Sequence, residues 1–230
     1  MNNRAGVEQS QPSRVLVHTD DAVTLLGGGV LAPGMLGRAL ARAPVLVAAD
    51  GGARHAVAAG MRPTAVVGDL DSLDPEDRAS LTGVPIHHLP EQETTDFDKA
   101  LRSIAAPLVL ALGFAGGRLD HTLAAFNVLV RHAHRRCVLV DTVDLCFVAP
   151  RDVTLDLPAG TRVSLFPMGP VRGRSTGLRW PIDGRDFAPN DIIGTSNEAT
   201  GGPVRLELSA TRMLVLLPVA HLDAALGALG

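Results

Sequence analysis

Val66-Val67-Gly68-Asp69-Leu70-Asp71-Ser72 is the stretch from which the rest of the chain is read. Residues 64–67 have the short, β-branched, uninterrupted apolar character of a strand covered on both faces, and Gly68 lets the backbone turn as it leaves the sheet. Two carboxylates follow, one residue apart. On extended backbone Asp69 and Asp71 point to the same side, where they can share a hard cation that also holds phosphate oxygens. The competing reading is a polar loop whose aspartates cap the next helix. Two further polar clusters at equivalent places along the chain favour the cation.

Working back from this stretch, residues 45–49 form another apolar strand that ends at Asp50-Gly51-Gly52-Ala53 and passes into a helix over about 54–59. Asp50 either caps that helix or belongs to the same polar site. Residues 22–26 read as a strand running into Gly27-Gly28-Gly29 and an amphipathic segment at 35–42, a βα unit whose glycine turn lets backbone approach a phosphate.

Working forward, Asp74-Pro75-Glu76-Asp77 reads as a helix start, with Asp74 and Asp77 assigned to capping. A short strand at 85–89 leads into Gln92 and a helix that opens at Thr94 or Thr95. Thr95 and Asp98 have capping-box spacing, which gives Asp98 a structural role. Asp96 and Lys99 lie three apart on one helix face, as a surface ion pair or as groups that hold a metal-bound polyphosphate. After the strand at 108–112 a glycine loop brings Arg118, Asp120 and His121 to the start of a helix over about 119–132, with Leu123, Phe126 and Val130 as its apolar stripe. Polar groups thus recur at the C-terminal ends of successive strands, where open parallel α/β sheets bind ligands.

Beyond residue 140 the pattern changes to alternating strands at 153–157, 162–166, 204–208 and 213–217, with no helix until a short tail from His221. The expected architecture is a mostly parallel α/β sheet domain over 14–147 followed by an antiparallel β-sandwich over 148–230. Trp180, the single tryptophan, sits between Arg179 and Pro181 at a turn, either as core or as a face for a flat ring.

In 230 residues, 46% are hydrophobic but only 3% aromatic, so the core is built from Ala, Val and Leu. A net charge of −3 offers no polybasic surface to nucleic acid or to acidic lipid. Cys137 and Cys146 lack metal-ligand spacing and fit a reducing compartment. No signal peptide or membrane span is read, so a soluble, cytoplasmic protein is expected, with a disordered tail over 1–13.

Taken in order, Asp50-Gly51-Gly52, Gly68-Asp69-Leu70-Asp71-Ser72, Gln92 with Thr95-Asp96-Phe97, Lys99, Gly117-Arg118-Leu119-Asp120-His121, Gly177-Leu178-Arg179-Trp180 and Ser196-Asn197 resemble the thiamine pyrophosphokinase family. The resemblance covers nearly everything after the tail. It implies a homodimer with sites at the subunit interface and transfer of diphosphate from ATP to the hydroxyl of thiamine, giving thiamine diphosphate and AMP. It further implies that Asp69, Asp71 and Asp96 carry Mg²⁺ and that Gln92, Thr95, Lys99, Arg118 and Asp120 line the triphosphate and the reacting hydroxyl. Asp50 joins them on the ATP side, while Trp180, Ser196 and Asn197 belong to thiamine. Asp71, Asp96 and Asp120 are the expected catalytic carboxylates. The hydroxyl proton has three candidate acceptors, Asp71, Asp120 or a phosphate oxygen. A pyrophosphokinase acting on a pterin alcohol and a non-catalytic thiamine- or nucleotide-binding module are the rival readings. Where relatives often carry Thr, this chain has Asp98.

Overall fold

The computed structural model describes residues 15–70 and 74–230. Asp71 and the expected disordered tail lie outside the described residues.

The first half of the chain alternates strands and helices: β1 (Val17–His18), β2 (Val23–Leu26), α1 (Met35–Leu40), β3 (Val45–Ala49), α2 (Gly52–Ala58), β4 (Ala65–Gly68), α3 (Pro75–Ser80), β5 (Ile86–His88), α4 (Asp96–Ser103), β6 (Ile104–Ala105), β7 (Val109–Leu112), α5 (Leu119–Arg131) and β8 (Cys137–Val140). The second half is nearly all strand: β9 (Asp144–Val148), β10 (Asp152–Leu157), β11 (Arg162–Pro167), β12 (Val171–Thr176), β13 (Asp186–Phe187), β14 (Gly194–Glu198), β15 (Gly202–Leu208) and β16 (Met213–Pro218), closed by a 3-10 turn (Val219–His221) and α6 (Leu222–Leu229).

A ten-stranded sheet in the order β14-β11-β16-β9-β8-β7-β2-β3-β4-β5 runs the length of the described molecule. From β8 to β5 every pairing is parallel, and at β8–β9 the sheet turns antiparallel and stays so to β14. The antiparallel end packs against a second sheet, β10-β15-β12-β13, and Val153, Leu155, Val163, Leu165, Val204, Leu206, Val215 and Leu217 share one core between the two layers. This is the expected α/β-plus-sandwich class, with one long sheet serving both parts.

Parallel strands covered on both faces need apolar side chains at every position, and β2, β7 and β8 are buried throughout. On one face Val23, Leu25, Val47, Val67, Val109 and Ala111 meet Phe97 and Leu101 of α4 and Ala125, Val128 and Leu129 of α5. That packing keeps Phe126 and Val130 of the expected α5 stripe against the core and corrects the stripe at Leu123. Ala125, Val128 and Leu129 are buried at i, i+3 and i+4, which lets the helix lie close to the sheet on a small residue, while Leu123 is 58% exposed.

β2 has β3 on one side and β7 on the other, so the loops that follow β2 and β7 leave in different directions and open a crevice. Gly27 N–H donates to Leu112 O at 2.7 Å and Gly29 N–H to Gly113 O at 2.9 Å, which ties the two loops together at its floor. Among the described residues no helix is long and apolar enough to cross a membrane.

Candidate active site

The crevice opens into a cleft of about 450 Å³ at the C-terminal ends of the parallel strands. Each wall follows from local sequence. Asp50 ends β3 with a positive φ of 39°, strained for an aspartate, and α2 begins immediately afterwards. Only glycine fits at the second residue after Asp50, since a Cβ on Gly52 would lie 1.9 Å from Leu26 O. Asp69 follows β4. Thr95 caps α4, its hydroxyl accepting from Asp98 N–H at 3.3 Å, so that Asp96 and Lys99 fall in the first turn and face the cleft.

One oxygen from each of Asp50, Asp69 and Asp96 lies within 4.8 Å of the others. Lys99 is 1% exposed and reaches into this group, donating to Asp69 Oδ2 at 2.9 Å and to Asp96 Oδ1 at 3.3 Å. Gln92 Nε2 donates to the same Asp69 oxygen at 3.2 Å. Desolvation pushes the Asp96 carboxyl above its ordinary range, and the Asp69 and Asp50 charges add to this while Lys99 opposes it. Burial pulls the Lys99 ammonium down, but the Asp69 hydrogen bond and the two carboxylate charges leave it raised. Asp50 Oδ1 is buried without a hydrogen-bond partner. Three carboxylates, one of them presenting an unpaired buried oxygen, form a hard-oxygen set of the kind that suits Mg²⁺.

Asp98, expected as a capping residue, contributes only its backbone N–H to the cap. Its buried carboxylate turns away from the cleft to His132 Nε2 at 2.8 Å, Arg131 at 3.3 Å and Arg102 at 3.8 Å. Arg102 also holds Glu91 at 2.6 Å, which braces the loop carrying Gln92.

Arg118 lines the cleft, whereas Asp120 does not. The two make an exposed bidentate pair at 2.6 and 3.1 Å, and Asp120 also accepts from His121 N–H. The Arg118–Asp120 hydrogen bonds hold the Asp120 carboxyl below its ordinary range and the Arg118 guanidinium above its own. Two lining features were not read from sequence as site members: Arg54 in the first turn of α2, and Phe114, stacked on Phe97 at 4.5 Å. The recurrence of polar residues after strand ends is the available signal for Arg54, which stands four residues past Asp50.

The thiamine-side candidates stand elsewhere in the chain. Trp180 is 52% exposed, carries the Arg179 guanidinium 4.9 Å above its ring, and lines a separate hollow of about 240 Å³ with Pro181, Ile192, Ile193 and Asn197. The buried Asn197 side chain accepts from Trp180 N–H at 3.2 Å and donates to Trp180 O at 2.7 Å, so it fixes the backbone beneath the ring. Ser196 has a φ of 60° and donates its N–H to Ser164 Oγ at 3.0 Å. Within one chain this hollow and the cleft share no lining residue.

Residues 36–140 match the model of the thiamin pyrophosphokinase catalytic domain, and residues 152–212 match that of the thiamin pyrophosphokinase vitamin B1 binding domain. Thiamine pyrophosphokinase 1 of Oryza sativa subsp. japonica is 30% identical over 200 residues, covering 72% of this chain and 75% of its own. Thiamine pyrophosphokinase 3 of the same plant is 31% identical over 191 residues, covering 68% and 71%. Among solved structures, thiamin pyrophosphokinase from Candida albicans superposes with a TM-score of 0.76 over 91% of this chain and 94% of its own, at 17% identity, a likeness of fold. With two adjoining family models in the expected order and a relative of this identity over most of its length, the chain belongs to the thiamine pyrophosphokinase family.

Proposed function

We propose that this protein transfers diphosphate from ATP to the hydroxyl of thiamine, releasing AMP. The observation that carries the reading is the convergence of Asp50, Asp69 and Asp96 on Lys99 in a cleft at the switch point of a parallel sheet, within the span matched by the catalytic-domain model. Moving two phosphoryl groups together requires neutralisation of charge around the bond that breaks, and a preformed cleft achieves this by positioning and electrostatics.

Asp69 and Asp96, with Asp50 from the same cluster and Asp71 from the sequence motif, would hold Mg²⁺, which supplies positive charge to the polyphosphate. Lys99 and Gln92 fix the Asp69 carboxylate, and Thr95 sets the turn from which Asp96 and Lys99 project. Arg118 offers a cation at the rim, paired with Asp120 until a phosphate competes for it. Asp71, Asp120 and a phosphate oxygen are the candidate acceptors of the hydroxyl proton.

The working form is proposed to be a homodimer that joins the cleft of one chain to the Trp180 hollow of its partner. The separation of the two in one chain, and the exposure of Leu119, Leu123, Trp180 and Ile193, support this. Division at 147/148 is supported by the interval between the two matched spans, and a reducing cytoplasm by the free thiols Cys137 and Cys146. A substrate panel tests the reading. Turnover of ATP with thiamine at the expense of a pterin alcohol supports it, and the reverse preference overturns it.

A further inference from the structure

We infer that Arg54 binds the phosphate that stays with the departing nucleotide, an assignment that rests on the diphosphate-transfer reading. Three cationic side chains line the described cleft: Arg54, Lys99 and Arg118. Lys99 is buried and held by Asp69 and Asp96, and Arg118 is held at both ends of its fork by Asp120. Arg54 is exposed and has no acidic partner among the described residues. Against three clustered carboxylates and one lysine, a triphosphate adds several further negative charges, so an uncommitted guanidinium meets a need that the other cations do not.

Its placement selects the phosphate. On the diphosphate-transfer reading the metal-suited carboxylates, clustered with Lys99, take the diphosphate that is transferred. Arg54 is instead built onto the glycine-loop side. Backbone contact of Gly52 with Leu26 O seats α2 on the end of β2, and the next residue along from Arg54, His55, places Nε2 2.8 Å from Gly29 O. Gly28 and Gly29 line the cleft with Arg54, and a backbone without side chains there admits the nucleoside closely. A planar guanidinium in this position matches the geometry of a phosphate monoester, as the α-phosphate becomes when AMP is formed.

Calorimetric titration of AMP and of adenosine in magnesium buffer separates the phosphate contact from the nucleoside. The wild-type protein is expected to prefer AMP, and Arg54→Gln to weaken AMP by ~10-fold or more while leaving adenosine unchanged. Arg54→Lys should recover part of the loss. Unchanged adenosine binding shows that the variant is folded. An undiminished AMP-to-adenosine ratio in Arg54→Gln overturns the assignment alone, whereas a wild-type protein that binds neither ligand overturns it together with the functional reading.

Discussion

Lys99 Nζ stands 2.9 Å from Asp69 Oδ2, a contact between residues thirty apart in sequence that brings the first turn of α4 against the end of β4. It couples the buried cation of the cleft to its central carboxylate. Lys99→Met leaves Asp69 and Asp96 facing one another without their shared counter-charge. We expect turnover to fall by ~100-fold or more, as for loss of one preorganised charge. Stability should fall by on the order of 2 kcal/mol, since an orphaned charge in an open cleft costs less than one fully enclosed. Steady-state rates and urea denaturation measure the two effects.

Asp50 Oδ1 is buried and unpaired, so Asp50→Asn tests whether a cation is what that oxygen serves. Metal-free Asp50→Asn should be at least as stable as wild type, because one of three clustered carboxylates loses its charge. Magnesium should raise the melting temperature of wild type, with the titration midpoint displaced to roughly tenfold higher concentration in the variant. An unchanged midpoint would remove Asp50 from the metal set.

For Asp98, burial alone would raise the carboxyl, but the His132 hydrogen bond with Arg131 and Arg102 more than offsets it and leaves the folded value lowered. A lowered folded value stabilises above the ordinary aspartate range and is lost as pH falls through that folded value. Asp98→Asn should therefore cost about 2 kcal/mol at neutral pH, more than a lost cap contact would suggest, and the gap should narrow below about pH 4. Denaturant melts of both proteins at neutral and acidic pH check this.

The strand-and-polar-end rhythm was legible because buried parallel strands leave uninterrupted apolar runs, and Asp50, Asp69, Asp96 and Lys99 stood directly after them or in the next helical turn. The role of Asp98 was hidden, since its partners His132 and Arg131 lie more than thirty residues away and no local pattern announces them. β14, Gly-Thr-Ser-Asn-Glu, has no apolar alternation to mark it as a strand, although it pairs with β11 as an edge strand. β12 carries no alternation signal for a related reason, with Val171 its one buried side chain. Two members of the expected α5 stripe, Phe126 and Val130, pack against the core, and only Leu123 at its start turns outward, where Ala125 lets the helix lie close to the sheet.

The proposed dimer has its own consequence. If each working site joins the cleft of one chain to the Trp180 hollow of its partner, then Lys99→Met and Trp180→Ala are complementary lesions. Each alone should be nearly inactive at low thiamine. Random re-pairing after dissociation should restore roughly a quarter of wild-type sites, because about half the dimers are mixed and each carries one intact site. No recovery, with heterodimers confirmed by native mass spectrometry, would place both residues of a site in one chain.

Phosphorus NMR of a reaction containing ATP, magnesium and thiamine shows whether this cleft moves two phosphoryl groups as a unit. The expected spectrum shows thiamine diphosphate and AMP rising together in equal amounts, with no ADP intermediate. ADP rising in step with thiamine monophosphate would instead make this a simple kinase, with the bond broken lying between the β and γ phosphates.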